Sequence, residues 1–334
     1  MNFFPSLLAI ILTLFFLMIC GYVCRKTGII DTSASKALSR LIISVGQPML
    51  IISALTNAEY NEKNLNIAWQ VVLISFCMHT LMALMAFLFC KLLKKNPDQN
   101  KIFEFSLVFA NAGFIGFPIL DSIFGNGIGS FMGAFYVIAF HLFLWTWGIM
   151  ILARGRDDIK LTPKKIFLNY GTVPCAIGLV IFLLKGVIQI PADSALTPVA
   201  NAVGSFFAYL GSLCTPISVL VTGALLATIS LPKMFTSAKL YLHSAIKLIA
   251  FPVIICLLAK LILSLTPLAP ETANIYVLLA TAMAGVPSAA TVTMLAELYD
   301  IEPAYASQSV GMTSILSTAT LPIVMLFAQW IITL

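Results

Sequence analysis

Charged residues are few. Asp, Glu, Lys and Arg make up 10% of the 334 residues, while 60% are hydrophobic; a soluble domain carries about 25% charge. With a mean hydropathy of +1.02, an ordinary soluble fold and a disordered chain are both excluded. Only three histidines occur, in separate apolar runs, and no HExxH helix or GxSxG elbow is present. Neither a zinc-hydrolase nor a serine-hydrolase site is legible, so the chain is not expected to be an enzyme. There is no CxxC, and the seven cysteines (20, 24, 77, 90, 175, 214, 256) fall inside apolar segments. They read as small core hydrophobes rather than disulfides or metal ligands, and no cofactor is expected. The start, Met1-Asn2-Phe3-Phe4-Pro5, lacks the basic n-region of a signal peptide, so the first apolar run reads as a retained span. A net charge of +6 does not point to nucleic acid, because the basic residues sit in short loops.

What is present is a succession of apolar runs. A membrane-spanning helix needs about 20 apolar residues. Ten runs qualify, at approximately 3–24, 38–57, 66–90, 102–124, 130–153, 166–185, 198–229, 240–265, 273–298 and 305–333. An all-α polytopic membrane protein surrounded by lipid is expected. Loops after odd-numbered spans hold 15 of the 19 Lys and Arg residues; the other side holds Lys63 and Lys185, and Lys247 and Lys260 lie inside span 8. Positive charge marks the cytoplasmic side, so both termini are expected outside a cytoplasmic (inner) membrane.

Ten spans divide into two fives, 1–153 and 166–334, around a cytoplasmic linker at 154–165. With an odd number per half, the halves enter the membrane from opposite sides and form an inverted repeat. Landmarks fall in register. Span 4 is interrupted at Asn111-Ala112-Gly113-Phe114-Ile115-Gly116-Phe117-Pro118 and span 9 at Ala282-Met283-Ala284-Gly285-Val286-Pro287-Ser288-Ala289, and Pro48 in span 2 matches Pro216 in span 7. Proline inside a helix lacks an N–H and clashes with the carbonyl four residues back. In a bilayer, unwound chain survives only where protein or a wet cavity surrounds it. Paired interruptions are a sequence pointer to a secondary transporter's binding site.

Asn111 stands just before the first break, where its amide offers two donors and an acceptor suited to a carboxylate. A helix restarting after Pro118 presents free N–H groups and a positive dipole end. Asp121 would then lie in its first turn, as a cap or as a proton or sodium site. Gly116 belongs to the same break. Gly285, Pro287 and Ser288 supply the mirror half, with Ser288 as cap and Thr291 just beyond. The competing reading makes both breaks simple kinks, with Asn111 bonded across a helix interface. The polar stripe of span 10 (Ser307, Gln308, Ser309, Thr313, Ser314, Ser317, Thr318, Thr320) reads as groups that glue helices or satisfy their own carbonyls. Lys247 either snorkels to the cytoplasmic surface or sets a positive potential that favours anions. His141 is either a neutral, hydrogen-bonded core residue or a proton relay. Glu104 and Glu297, near cytoplasmic ends, read as solvated.

The Asn-x-x-x-x-Gly-x-Pro string at Asn111–Pro118 resembles the crossover motif of the auxin efflux carrier family. The stretches Val286-Pro287-Ser288, Ala296-Glu297-Leu298-Tyr299-Asp300 and Gly21-Tyr22-Val23-Cys24-Arg25-Lys26-Thr27-Gly28-Ile29-Ile30 are similar to other segments of that family. The resemblance implies ten helices in two inverted repeats with crossed broken helices 4 and 9, like the sodium/proton antiporter and bile acid symporter folds. It also implies a scaffold of helices 1, 2, 6 and 7, an elevator-like transport bundle of helices 3–5 and 8–10, and in many members a homodimer. Carried over, Asn111 holds a substrate carboxylate, with Pro118 and Pro287 as crossing points. The long cytoplasmic loop of the plant members is absent, since only Arg154–Lys165 stands in its place. Bacterial members are associated with dicarboxylates such as malate and malonate.

Secondary transport of a small organic anion is therefore the leading expectation, either a mono- or dicarboxylate or an auxin-like acid. Proton or sodium coupling is open. A sodium-coupled symporter of bile-acid type is the nearest rival, and an intramembrane enzyme or a channel or sensor comes from other classes.

Overall fold

The computed structural model describes residues 3–92, 96–125, 127–156, 162, 168–188, 194–228 and 231–334, without the side chains of 3–8, 10, 11, 114, 118, 231 and 233. Most of the expected linker 154–165, and the charges Lys94, Lys95, Lys160, Lys164 and Lys165, lie outside the described residues.

Helices dominate. In chain order they are α1 (Phe3–Lys26), α2 (Thr32–Leu41), α3 (Gln47–Asn57), α4 (Glu62–Leu92), α5 (Pro97–Val108), α6 (Phe117–Phe124), α7 (Ile128–Phe143), α8 (Ile149–Ala153), α9 (Thr172–Leu184), α10 (Thr197–Ser212), α11 (Cys214–Leu226), α12 (Leu231–Phe235), α13 (Ala238–Ala245), α14 (Phe251–Ser264), α15 (Pro270–Gly285), α16 (Ala290–Leu298) and α17 (Pro303–Thr333). Among the described residues six continuous helices are long and apolar enough to cross a membrane: Thr32–Asn57, Glu62–Leu92, Ile128–Ala153, Thr197–Leu226, Ala238–Ser264 and Pro303–Thr333. The chain is a multi-pass membrane protein.

Four widened π turns occur among the described residues: those at Ile42–Gly46, Leu144–Gly148 and Ile246–Ala250 join consecutive helices, and that at Ala112–Gly116 leads into α6. Three of them precede Pro48, Pro118 and Pro252, and the cause is local. A proline cannot donate to the carbonyl four residues back, and its ring crowds that carbonyl. In each case the residue before the proline donates one step further back: Gln47 N to Ile42 O, Phe117 N to Ala112 O, and Phe251 N to Ile246 O. The helix absorbs the proline by widening instead of breaking. Pro216 sits in the first turn of α11, where a single turn at Leu213, still helical in its backbone angles, joins α10 to α11.

The expected span at 166–185 is shorter as a helix. Asn169 Oδ1 accepts from Gly171 N and Thr172 N at 2.9 and 2.8 Å, an Asx turn that delays the helix start to Thr172. The 13 residues of α9 rise about 20 Å at 1.5 Å per residue.

Packing sorts the helices into two neighbourhoods. α1 lies along α11, and α3 packs against α9 and α10; elsewhere α4 packs on α7, α14 on α15, and α15 on α17. The α1–α11 contact is close enough to demand glycine. A Cβ on Gly21 would lie 2.0 Å from Leu220 O, and one on Gly223 2.0 Å from Met18 O. Small residues at such crossings let backbones touch where lipid supplies no hydrophobic drive.

Two acidic residues depart from expectation. Glu104 is buried because Arg154 clamps its carboxylate through two nitrogens, at 2.5 and 2.9 Å. Glu297 is buried because Ser35 and Ser39 of α2 donate to it at 3.3 and 3.2 Å. Neither is solvated. Among the described residues the cysteines form no disulfide; Cys175, Cys214 and Cys256 are buried, and Cys20 and Cys77 are exposed.

Candidate functional site

The two interruptions meet. Asn111 N donates to Pro287 O at 2.8 Å and Ala289 N to Phe109 O at 2.9 Å, which makes an antiparallel bridge between Ala110 and Ser288. Extended backbone from one broken helix thus satisfies extended backbone from the other, as chain at membrane depth must. The backbone bridge joins Pro287 to Asn111, seven residues before Pro118. The span 4 helix restarts at Ala112, six residues before that proline, because Asn111 adopts φ −75°, ψ 60° and turns the chain sharply. Ala112 N returns to Ala110 O at 2.7 Å, an inverse γ-turn. Asn111 O then receives both Ile115 N and Gly116 N at 3.1 Å, so this carbonyl nucleates the restarted helix. Pro118 lies in the first turn of α6, and its side chain is outside the described residues.

Several expected roles change with that register. Asp121 does not lie in a first turn; it is near the end of α6 and caps the next helix. Ser130 N donates to Asp121 Oδ1 at 2.8 Å and Ser130 Oγ donates to Oδ2, placing a carboxylate at the positive end of α7. Ser288 is not a cap either. Its hydroxyl donates to Ser106 O at 2.9 Å, and its N–H goes to Thr313 Oγ1 at 3.2 Å, so it joins both breaks to α17. Gly116 and Gly285 act by size. A Cβ on Gly116 would lie 2.9 Å from Met283 Sδ, and one on Gly285 2.8 Å from Leu321 Cδ1.

Asn111 is the residue left with chemistry to spare. It is 5% exposed, and its side-chain amide makes no hydrogen bond to another described residue. Two cavities flank it. The smaller, about 30 Å³, is lined by Gln47, Asn111, Gly113, His141, Ala289 and Thr291 among others. That is one water's share of liquid volume. Gln47 Oε1 and His141 Nδ1 are both buried there without a partner. The larger cavity, about 200 Å³, runs between α1, α11 and α17, and Asn111, Ile115 and Ala290 form its crossover wall. Its other walls are largely apolar (Leu12, Leu14, Phe15, Met18, Val219, Val310 and Ile315), with Thr222, Ser314, Ser317 and Thr318 interspersed. The start of each restarted half-helix therefore borders both cavities.

The crossover brings Asn111, Ser288, Thr291 and His141 together, with Gly116 and Gly285 as packing positions behind them. The span 10 hydroxyls bond back into their own helix, for example Ser309 Oγ to Tyr305 O at 2.6 Å, Thr313 Oγ1 to Ser309 O at 2.8 Å and Ser314 Oγ to Val310 O at 2.7 Å, so these bonds do not join α17 to a neighbour, while Ser314, Ser317 and Thr318 face the larger cavity. Lys247 does not snorkel; it is fully buried, and its Nζ donates to Leu107 O at 3.2 Å. Gln47 joins the site without a motif to mark it; its signal in the sequence is an amide directly before Pro48 in the middle of an apolar span.

Comparison with known proteins places the chain among transporters. The sequence model of a family described as "Membrane transport protein" matches residues 7–325. A protein of Methanothermobacter thermautotrophicus named "Uncharacterized transporter" is 24% identical over 318 residues, covering 94% of this chain and 95% of that one.

Proposed function

Because this chain belongs to the membrane transport protein family, which is the auxin efflux carrier family, we propose that it is a secondary transporter of a small organic anion. The carboxylate binds at the crossover. Asn111 supplies amide donors, and the half-helices starting at Ala112 and Ala290 supply N–H groups and positive dipole ends. The observation that carries this reading is the Asn111 amide: buried, unbonded, and set where the two breaks meet beside both cavities.

The cavity favours one substrate class over another. An apolar cavity of about 150 Å³ accepts benzene, so about 200 Å³ accommodates a ring-sized apolar body with one carboxylate at Asn111. A dicarboxylate would press its second charge against Leu14, Met18 and Val219, at a desolvation cost of several kcal/mol. A compact monocarboxylate therefore ranks above malonate or malate.

The mechanism we infer is alternating access by ten spans in two inverted repeats (1–153 and 166–334), with spans 4 and 9 broken and crossed. The α1–α11 and α3–α9–α10 packing supports a scaffold of spans 1, 2, 6 and 7, against which spans 3–5 and 8–10 move as an elevator. In a cytoplasmic membrane, a negative interior drives anion export by about 2.3 kcal/mol per charge per 100 mV.

Proteoliposome uptake of labelled phenylacetate, malonate and malate, comparing wild type with Asn111→Ala, tests the proposal. Saturable phenylacetate flux that falls at least tenfold in the variant is expected. Equal flux in both proteins would remove Asn111 from the site, and saturable dicarboxylate flux alone would overturn the ranking of substrates.

A further inference from the structure

Lys247 is a fully buried cation-bearing side chain in the π turn Ile246–Ala250, a segment that packs against α15 and α17. Among the described residues no carboxylate pairs with it: the ion pairs there are Lys101–Asp98 and Arg154–Glu104. Its hydrogen bond goes to a backbone carbonyl, Leu107 O at 3.2 Å. Intramembrane charge is costly, and where it is kept it usually serves function.

The position of that carbonyl supplies the reason. α5 ends at Val108, where the broken helix of span 4 runs out, and the last carbonyls of a helix lack intrahelical donors and carry a partial charge of about −0.5. Three of the last four of α5 are met, and so is Phe109 O just beyond it. Phe105 O takes Phe109 N, Ser106 O takes Ser288 Oγ, Phe109 O takes Ala289 N, and Leu107 O takes the Lys247 ammonium. One turn earlier on the same face of span 8, His243 Nε2 lies 3.1 Å from Ser106 Oγ. Span 8 thus holds the negative end of the half-helix through two adjacent residues, Ser106 and Leu107. His79, from α4, is a further ionisable group within electrostatic range of Lys247.

In carriers built on broken helices, half-helix C-terminal ends and unwound carbonyls are where a coupling Na⁺ or H⁺ is held. We propose that the Lys247 ammonium is a tethered cation filling that position, so the carrier needs no free metal cation to stabilise its crossover or to bind its anion. This rests on the transporter reading above. It decides between that reading's two branches, against sodium symport. With Lys247 in the moving bundle, the loaded site (one ammonium, one carboxylate) is neutral and the empty site carries one positive charge. A negative interior then acts on the return of the empty carrier, drawing it inward to be loaded from the cytoplasm.

The test removes the tether and offers a free cation. Purified wild type, Lys247→Ala and Lys247→Arg are melted in choline chloride, with increasing sodium or n-propylammonium at constant ionic strength. Lys247→Ala is expected to melt lower than wild type and to regain stability saturably with n-propylammonium or sodium, while wild type and Lys247→Arg respond to neither. A saturable rise of wild type with sodium would overturn the proposal, as would a Lys247→Ala protein that responds to cations no more than wild type does. Should Lys247→Ala not fold, Lys247→Met is melted against sodium in its place: a saturable rise supports the tether, and a response no larger than that of wild type overturns it. This readout needs no transported substrate, so a wrong substrate class would show only in the flux experiment and would leave the Lys247 result intact.

Discussion

At Gln47 a single amide sets stability against function. Its Oε1 is buried with no partner among the described residues, as is Nδ1 of His141, which lines the same small chamber. An unsatisfied buried polar atom costs roughly 1–3 kcal/mol, a cost that binding sites carry and interiors avoid. Gln47→Leu is therefore expected to raise the melting temperature and, because it reshapes the chamber that also borders Asn111, to weaken acid binding, both read by calorimetry on one preparation. A variant that melts lower would show that the amide is satisfied structurally. Asn111 was legible in the sequence, because an amide directly before a Gly/Pro break has few reasons to be there. Gln47 was not, since its meaning depends on His141 in another span, and no spacing rule links the two. Lys247 was legible as an anomaly, but its partner, the carbonyl of Leu107, is backbone and leaves no mark in the sequence.

Among the elements, α16 and α2 meet through an unusual contact. Glu297, near the negative end of α16, is buried and held by Ser35 and Ser39, one turn apart on α2. Hydrogen bonds to a charged acceptor contribute about 1.5–3 kcal/mol, so Ser39→Ala and Glu297→Gln are expected to couple by at least about 1 kcal/mol in a double-mutant cycle. Additive melting shifts would mean that the carboxylate is held by something else. Under the elevator mechanism this contact joins scaffold to bundle and must break in each cycle. The same scale explains why the breaks were located in the sequence but their register was not. Proline marks where an ordinary turn fails, yet at Pro48, Pro118 and Pro252 the helix answers with a π turn. The real crossing is set by the γ-turn at Asn111 and the bridge from Ala110 to Ser288. A backbone hydrogen bond between two distant segments decides that register, and neither segment encodes it alone.

For the whole molecule, hydropathy and charge carried the reading further than local geometry did. Among the described residues six of the apolar runs emerge as continuous helices long enough to cross a membrane, those at 102–124 and 273–298 are broken at the crossover, and that at 166–185 gives a helix of 13 residues. Orientation rests on a different force. Fifteen of 19 basic residues lie in loops assigned to one side, and such asymmetry sets which loops stay in the cytoplasm. In a background freed of the seven native cysteines, Lys36→Cys and Lys239→Cys are expected to react with a membrane-impermeant maleimide only in inside-out vesicles. Lys63→Cys and Glu271→Cys are expected to react only in right-side-out ones; all four positions are exposed. The outcome bears on more than topology. The inferred export direction follows from a negative interior acting on a site that carries Lys247, and an inverted repeat places its crossover near mid-membrane whichever way the chain is inserted. If the labelling pattern were reversed, the field would still draw the empty, positively charged site toward the cytoplasm. The direction of net flux would stand, but the Glu297–Ser35–Ser39 contact would lie toward the outer face instead of the inner one. Labelling thus fixes at which face of the membrane the contact between α2 and α16 lies.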